Sequence, residues 1–170
     1  PISYGEFSLD ASGNWVYRPD DRRLQPLGTG QSAVESFTVS SADGTTHAVR
    51  ITVQGTNDTP VLSGATPAAT AFAGRSRALG GVLRFTDPDS GDIHAAGVEP
   101  VAGQEGLDPG VLSVIVAAEP DPDEDGTLQW SYVPPLSRDD LTPGEVSDAQ
   151  FLIRVTDEHG AQAIRTATLH

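Results

Sequence analysis

The chain has no cysteine, so no disulfide staples it and no thiolate holds a metal. Methionine is absent too, and a chain without a start residue is expected to be a piece of a longer one. Bases are scarce: 10 against 24 acids leave a formal charge of −14. Nucleic acid and anionic membrane surfaces both call for basic patches, so neither is an expected partner. No apolar run approaches the ~20 residues of a membrane span, so direct membrane insertion is not expected either. No signal peptide is visible, which an excerpt from a longer chain would not show. Aromatics make up only 6% of the residues and hydrophobics 37%, enough for thin cores. A length of 170 suits one large or two small domains, and 18 glycines with 13 prolines favour many turns.

What the chain does have is one pattern written twice. Gly13-Asn14-Trp15-Val16-Tyr17-Arg18-Pro19 returns as Thr127-Leu128-Gln129-Trp130-Ser131-Tyr132-Val133-Pro134. Phe37-Thr38-Val39-Ser40-Ser41-Ala42-Asp43 returns as Phe151-Leu152-Ile153-Arg154-Val155-Thr156-Asp157. Trp15 precedes Phe37 by 22 residues and Trp130 precedes Phe151 by 21. A period this long is a whole domain, so the chain reads as an excerpt from a tandem array.

The local pattern is that of strands. Val34–Ser41 and Thr46–Val53 alternate, with Asp43-Gly44 as a hairpin signal between them. Ala149–Thr156 and Ala161–Leu169 repeat the arrangement around Asp157-Glu158-His159-Gly160. Tyr4–Leu9 and Asn14–Arg18 form a hairpin around Asp10-Ala11-Ser12-Gly13. No stretch has a sustained helical period; Leu24–Val34 and Arg138–Val146 have room for one short turn each. The expected fold class is all-β, two tandem immunoglobulin-like or cadherin-like antiparallel β-sandwiches, over residues 1–60 and 61–170. The copies are uneven. The second has a lead-in, Leu79–Gly106, before its strand Val111–Val116, whereas the first begins almost at the matching Gly5–Leu9. The first copy therefore lacks its opening strand or strands. Its sheet edge is expected to be covered by a neighbouring domain, another chain or a cleaved segment that stays attached.

Three motifs resemble the bacterial VCBS repeat, a cadherin-like module of large RTX-type adhesins. Gly5 through Tyr17 is similar to its central hairpin. Phe37-Thr38-Val39 through Gly55-Thr56-Asn57-Asp58-Thr59-Pro60-Val61 is similar to its closing strands and Gly-Thr-Asn-Asp-x-Pro end. Gly81-Val82-Leu83-Arg84-Phe85-Thr86-Asp87-Pro88-Asp89-Ser90-Gly91-Asp92 is similar to its opening strand and acidic turn. The second copy departs by inserting Ala117–Asp125 into the hairpin, and it stops before any Asn-Asp linker. The resemblance implies a secreted or cell-surface bacterial module, often calcium-dependent, used for adhesion or as a spacer. Its implied partners are neighbouring repeats, with a surface glycan or another cell-surface protein beyond them.

Calcium takes six to eight oxygen ligands with modest geometric precision. The linker offers Asn57 and Asp58, the acidic turn Asp87, Asp89 and Asp92, and the hairpin turns Asp43 and Asp157. The resemblance to cadherin-like arrays implies one ion shared by Asn57, Asp58, Asp87 and Asp89, with Asp92 near. Each acid also has a structural reading, since Asn-Asp and Asp-Gly are ordinary turn formers. The run Glu119–Asp125 reads as a solvated hairpin tip, with a second ion site as the alternative. His47, His94, His159 and His170 lack ligand spacing and read as surface positions. Trp15, Tyr17, Trp130 and Tyr132 share a strand face that reads as core, with a sugar-stacking platform as the alternative. No nucleophile elbow, metalloprotease helix or phosphate loop is present, so enzymatic activity is not expected. Carbohydrate binding is one alternative function. Another is calcium-dependent self-cleavage at Asp87-Pro88, Asp108-Pro109 or Asp121-Pro122.

Overall fold

A computed structural model describes residues 3–65, 68–69, 79–102, 112–121, 123–133 and 149–169. The expected turn at Arg138–Val146, the Asp108-Pro109 bond and His170 lie outside those residues. The chain forms two compact units. The first is Pro1–Asp58 with Pro88–Ser90, and the second is Thr59–Asp87 with Gly91–His170.

The first unit is two hairpins and one helical turn. Strands β1 (Gly5–Leu9) and β2 (Trp15–Pro19) pair antiparallel, as do β3 (Ser32–Ser40) and β4 (Thr46–Gln54). The turns are fixed by chemistry readable in the sequence. Asp10 Oδ1 accepts the N–H groups of Ser12 and Asn14, and Gly13 takes the φ of 86° that closes the loop. Between the hairpins lies α1 (Asp21–Leu24), whose N-cap Asp20 accepts the Arg22 N–H. The helical turn thus precedes the expected Leu24–Val34 window, because the Asp20-Asp21 pair supplies the cap. The two hairpins meet through aromatic rings: Phe7 stacks on Phe37 at 4.8 Å, and Tyr17 tilts against Phe37 at 6.1 Å.

The second unit is a sandwich of two four-stranded sheets. One sheet has the order β5 (Val61–Ser63), β7 (Leu79–Thr86), β10 (Gly126–Tyr132), β9 (Leu112–Ala118). The other has the order β6 (Ala68–Ala69), β12 (Gln162–Leu169), β11 (Ala149–Asp157), β8 (His94–Pro100). All pairings are antiparallel except β6 with β12, which is parallel. Alternation decides the core. Along β11, Ala149, Phe151, Ile153 and Val155 are buried; Leu128, Trp130 and Tyr132 of β10 and Leu83 and Phe85 of β7 join the same cluster. The fold class is therefore all-β, and the first unit lacks counterparts of β5 to β8 among the described residues.

The insertion in the second copy is visible as a bulge. Thr127 faces Ala118 and Leu128 faces Val116, so Ala117 is the extra residue on β9. The two closing hairpins also differ in register from what the sequence match suggests. Gly44 N–H returns to the Ser41 carbonyl and Gly160 N–H to the Asp157 carbonyl. By turn geometry Ser41, rather than Asp43, is the counterpart of Asp157.

Candidate functional site

The acids have different hydrogen-bond partners. In the first unit, the Asp58 N–H donates to Asp89 Oδ2 at 2.7 Å, and Asn57 Nδ2 donates to the Asp58 carbonyl at 2.7 Å. Asp89 is buried, and residues 88–90 belong to this unit. Ser90 N–H bonds the Pro26 carbonyl at 3.3 Å. A Cβ at Gly28 would lie 3.3 Å from the Asp89 side chain, so glycine leaves that carboxylate its room. Asp89 thus accepts a hydrogen bond from the backbone of the Asn57-Asp58 linker, a turn-fixing contact made by an N–H donor.

In the second unit, Asp87 has another partner. Its Oδ2 lies 3.0 Å from Nε2 of His94, while Glu119 Oε2 lies 2.9 Å from Nδ1 of the same ring. Glu119 Oε1 also accepts the His94 N–H. The side chains of His94 and Asp87 are wholly buried, and the ring packs edge-on against Phe85 at 4.9 Å. Two acceptors flank one ring, so both ring nitrogens carry protons and the imidazole is charged. Burial opposes that charge, but the hydrogen bonds and charges of Asp87 and Glu119 outweigh it and hold the pKa above its ordinary value. His94 was expected at the surface and is instead a core ion. Glu119 is not a free member of a solvated tip; the bulge and inserted loop bring it back to His94. The rest of that loop behaves as expected, with Asp121 accepting the N–H groups of Asp123 and Glu124 in an exposed turn. Asp121-Pro122 runs into a residue outside the described set.

Asp92 faces the closing hairpin of the second unit. It is buried, its Oδ2 makes no hydrogen bond, and that oxygen lies 3.4 Å from Nδ1 of His159. With Glu158, these residues place three potential ligand atoms within 4.8 Å of one another. The carboxylates suit calcium; the imidazole nitrogen is a donor that calcium does not favour. Glu158 and His159 were missed in the sequence because they are adjacent in a hairpin tip and have no ligand spacing to Asp92.

Asp43 and Asp157 serve their own turns. Asp43 accepts the Ser41 hydroxyl and the Thr45 N–H; these bonds hold its pKa down at about 2. Asp157 accepts the N–H groups of His159 and Ala161, each at 2.9 Å. His47 is exposed, as expected.

A further buried carboxylate lies outside every sequence expectation. Glu35 on β3 accepts the Tyr17 hydroxyl, the Tyr4 N–H and the Ser3 hydroxyl. Burial raises its pKa, but these hydrogen bonds outweigh the effect and leave it below its ordinary value. Burial first, and then the hydrogen bond and charge of Glu35, push the Tyr17 phenol up to about 12. A raised phenol pKa means that the Tyr17 contribution to stability is complete below the ordinary value of 10 and is lost as pH climbs through about 12. Ultraviolet titration is expected to show one tyrosine ionising near that upper value, and Glu35→Gln to bring it down. A Tyr17 midpoint at the ordinary value in the folded chain would contradict the buried pair.

A cleft of about 690 Å³ in the first unit is lined by Ser3, Glu6, Arg18, Asp20, Arg22 and Arg23, among others. Arg23 is held by Asp20 and by the Ser3 carbonyl. The mixture of acids and arginines gives the cleft no single sign, and so no selectivity for one charge class.

No protein-family model matches the chain, and no curated protein does. Among solved structures, the sialic acid binding region of the Streptococcus sanguinis SK1 adhesin, bound to 3'sLn, matches 99% of this chain at 13% identity with a TM-score of 0.46. Domains 4 and 5 of the S-layer protein SbsC match 96% of this chain at 12% identity with a TM-score of 0.35, over 78% of their own length. The chain spans only 37% of the adhesin region's length. At these values neither likeness says what this chain binds.

Proposed function

We propose that the chain is a calcium-stabilised extracellular spacer or adhesion module of a bacterial surface or secreted protein, without catalytic activity. Its partners in this reading are neighbouring repeats. The observation that carries the calcium reading is Asp92, a buried carboxylate whose Oδ2 takes no hydrogen bond and faces the Glu158–His159 tip. Two carboxylates ~4 Å apart repel by about 4 kcal/mol at an effective dielectric of 20. A divalent ion removes that repulsion. In the first unit the buried Asp89 carboxylate, which reaches the Asp58 backbone, supports the same reading. When bound, calcium supplies charge neutralisation and tethers turns; the surrounding β-scaffold holds the oxygens in place.

Thermal melting tests the proposal. Calcium at a thousandfold excess over its dissociation constant adds about 4 kcal/mol to the state that binds it. The melting temperature should therefore rise with calcium and fall with a chelator, and Asp92→Asn should remove part of the response. Identical melting with calcium, with chelator and in Asp92→Asn would sink the reading.

A second reading, carbohydrate binding, is favoured by one observation: Trp15 is 55% exposed. Its indole was expected in a core. Trp130, its counterpart, is core as expected. Quenching of Trp15 fluorescence by soluble glycans would support this reading.

A further inference from the structure

The register of one strand pair brings three metal-ligating side chains together in the second unit. Strand β11 ends with Asp157 opposite His94, the first residue of β8. Two steps further out along each chain stand His159 and Asp92. The antiparallel ladder, continued past its last pair, therefore sets Asp92 against the tip of the β11–β12 hairpin. That tip is held from within. The Asp157 carboxylate accepts the N–H groups of His159 and Ala161, and Gly160 takes a φ of 93° to close the turn. Asp157 is itself buried, so the main chain of His159 is tied to the sheet. The Asp92 side chain is only 4% exposed, and its Oδ2 has no hydrogen bond among the described residues. A buried acceptor without a donor is costly to keep, and a cation is a partner that removes the cost.

We infer that Asp92, Glu158 and His159 form a zinc site, in which His159 Nδ1 supplies nitrogen and the two carboxylates supply oxygen. The inference rests on the reading that a cation sits at Asp92, and it names a second ion that competes with calcium there. Distance does not choose between the two ions. His159 Nδ1 and Asp92 Oδ2 are 3.4 Å apart. The edge of a zinc tetrahedron with bonds of about 2.0–2.1 Å is about 3.3–3.4 Å. Two calcium ligands at about 2.4 Å and a right angle are also about 3.4 Å apart. Donor type and ligand count do choose. Calcium takes six to eight oxygens, so two carboxylates leave most of its shell to water. Zinc accepts imidazole and carboxylate alike, and three side chains with one water complete its four positions. The three donor atoms lie within 4.8 Å of one another, and Glu158 is exposed, so its side chain is able to close the remaining gap. His94 offers no competing nitrogen, because Asp87 and Glu119 flank both of its own. Without a metal, His159 and Asp92 are a plain ion pair, and the two cases differ in what zinc does.

The test titrates zinc and calcium separately into the full chain, His159→Gln and Asp92→Asn. Calorimetry reads affinity and ion count, and NMR reads the imidazole signals. The unaltered chain should bind one zinc whose arrival shifts the His159 ring signal, the signal missing in His159→Gln. Losing a direct ligand should weaken zinc at least about tenfold, the least that an outer-shell partner is worth. The glutamine amide oxygen is a donor that calcium accepts, so calcium affinity should stay within about twofold in His159→Gln. Asp92→Asn should weaken both ions, since both use its Oδ2. Equal zinc affinity in the unaltered chain and His159→Gln would overturn the inference. So would a His159 signal that zinc leaves unmoved, the mark of a plain ion pair. Calcium binding without zinc binding would overturn it and leave the calcium reading standing. Zinc binding that needs His159, with no response to calcium, would uphold it and sink the calcium reading.

Discussion

Replacing His94 by leucine should destabilise the second unit by about 3–5 kcal/mol, because it takes a buried charged partner away from the wholly buried Asp87 carboxylate. Asp87 loses the cation at 3.0 Å and Glu119 loses the ring that holds its loop against the sheet. A loss of that size lowers the melting temperature by more than about 10 °C in a domain of ~100 residues. Chelator in the buffer keeps any ion from compensating. The double variant Asp87→Asn, His94→Leu should recover part of the loss, since it buries no charge. Urea unfolding of the three proteins decides the matter. A single-variant loss below about 1 kcal/mol would mean that the Asp87–His94–Glu119 chain is not an ion network.

The two tryptophans should respond to truncation in opposite ways. Trp130→Ala removes a side chain packed among Leu128, Phe151 and their neighbours, and is expected to cost about 3–5 kcal/mol. Trp15→Ala removes a ring that is already more than half in water and stacks on Phe7, at 6.1 Å. Its cost should stay below about 1 kcal/mol, the range of a single exposed aromatic contact. Chemical denaturation of each variant gives the comparison. Equal losses would mean that Trp15 is buried in solution.

Much of this fold was legible because its signals are local and period-two. Strand alternation and the Asp-x-x-Gly and Asp-Gly turns placed both hairpins of the first unit and the closing hairpin of the second within a residue or two. The repeat located Trp130 in a core, yet it misplaced Trp15. Sequence identity between two hairpins says nothing about whether β7 lies beside each. His94 was misread for a related reason. Its burial depends on Asp87, seven residues earlier, and on Glu119, which arrives only through a bulge at Ala117. Neither contact leaves a spacing signature. The acids show the same limit. All six candidate acids, and Asn57 with them, were visible as residue types, but Asp43 and Asp157 satisfy their own turns, Asp87 faces a histidine, and Asp89 accepts the Asp58 N–H. Glu158, His159 and Glu35 gained their importance from tertiary neighbours that a linear pattern does not contain.

Whether the chain holds ions is decided by a count, and native mass spectrometry of the full chain supplies it. With calcium present, the predicted spectrum shows discrete added ions on the folded charge states, lost on chelation and reduced in Asp92→Asn. A folded spectrum of bare chain at millimolar calcium, unchanged by chelator, would contradict it.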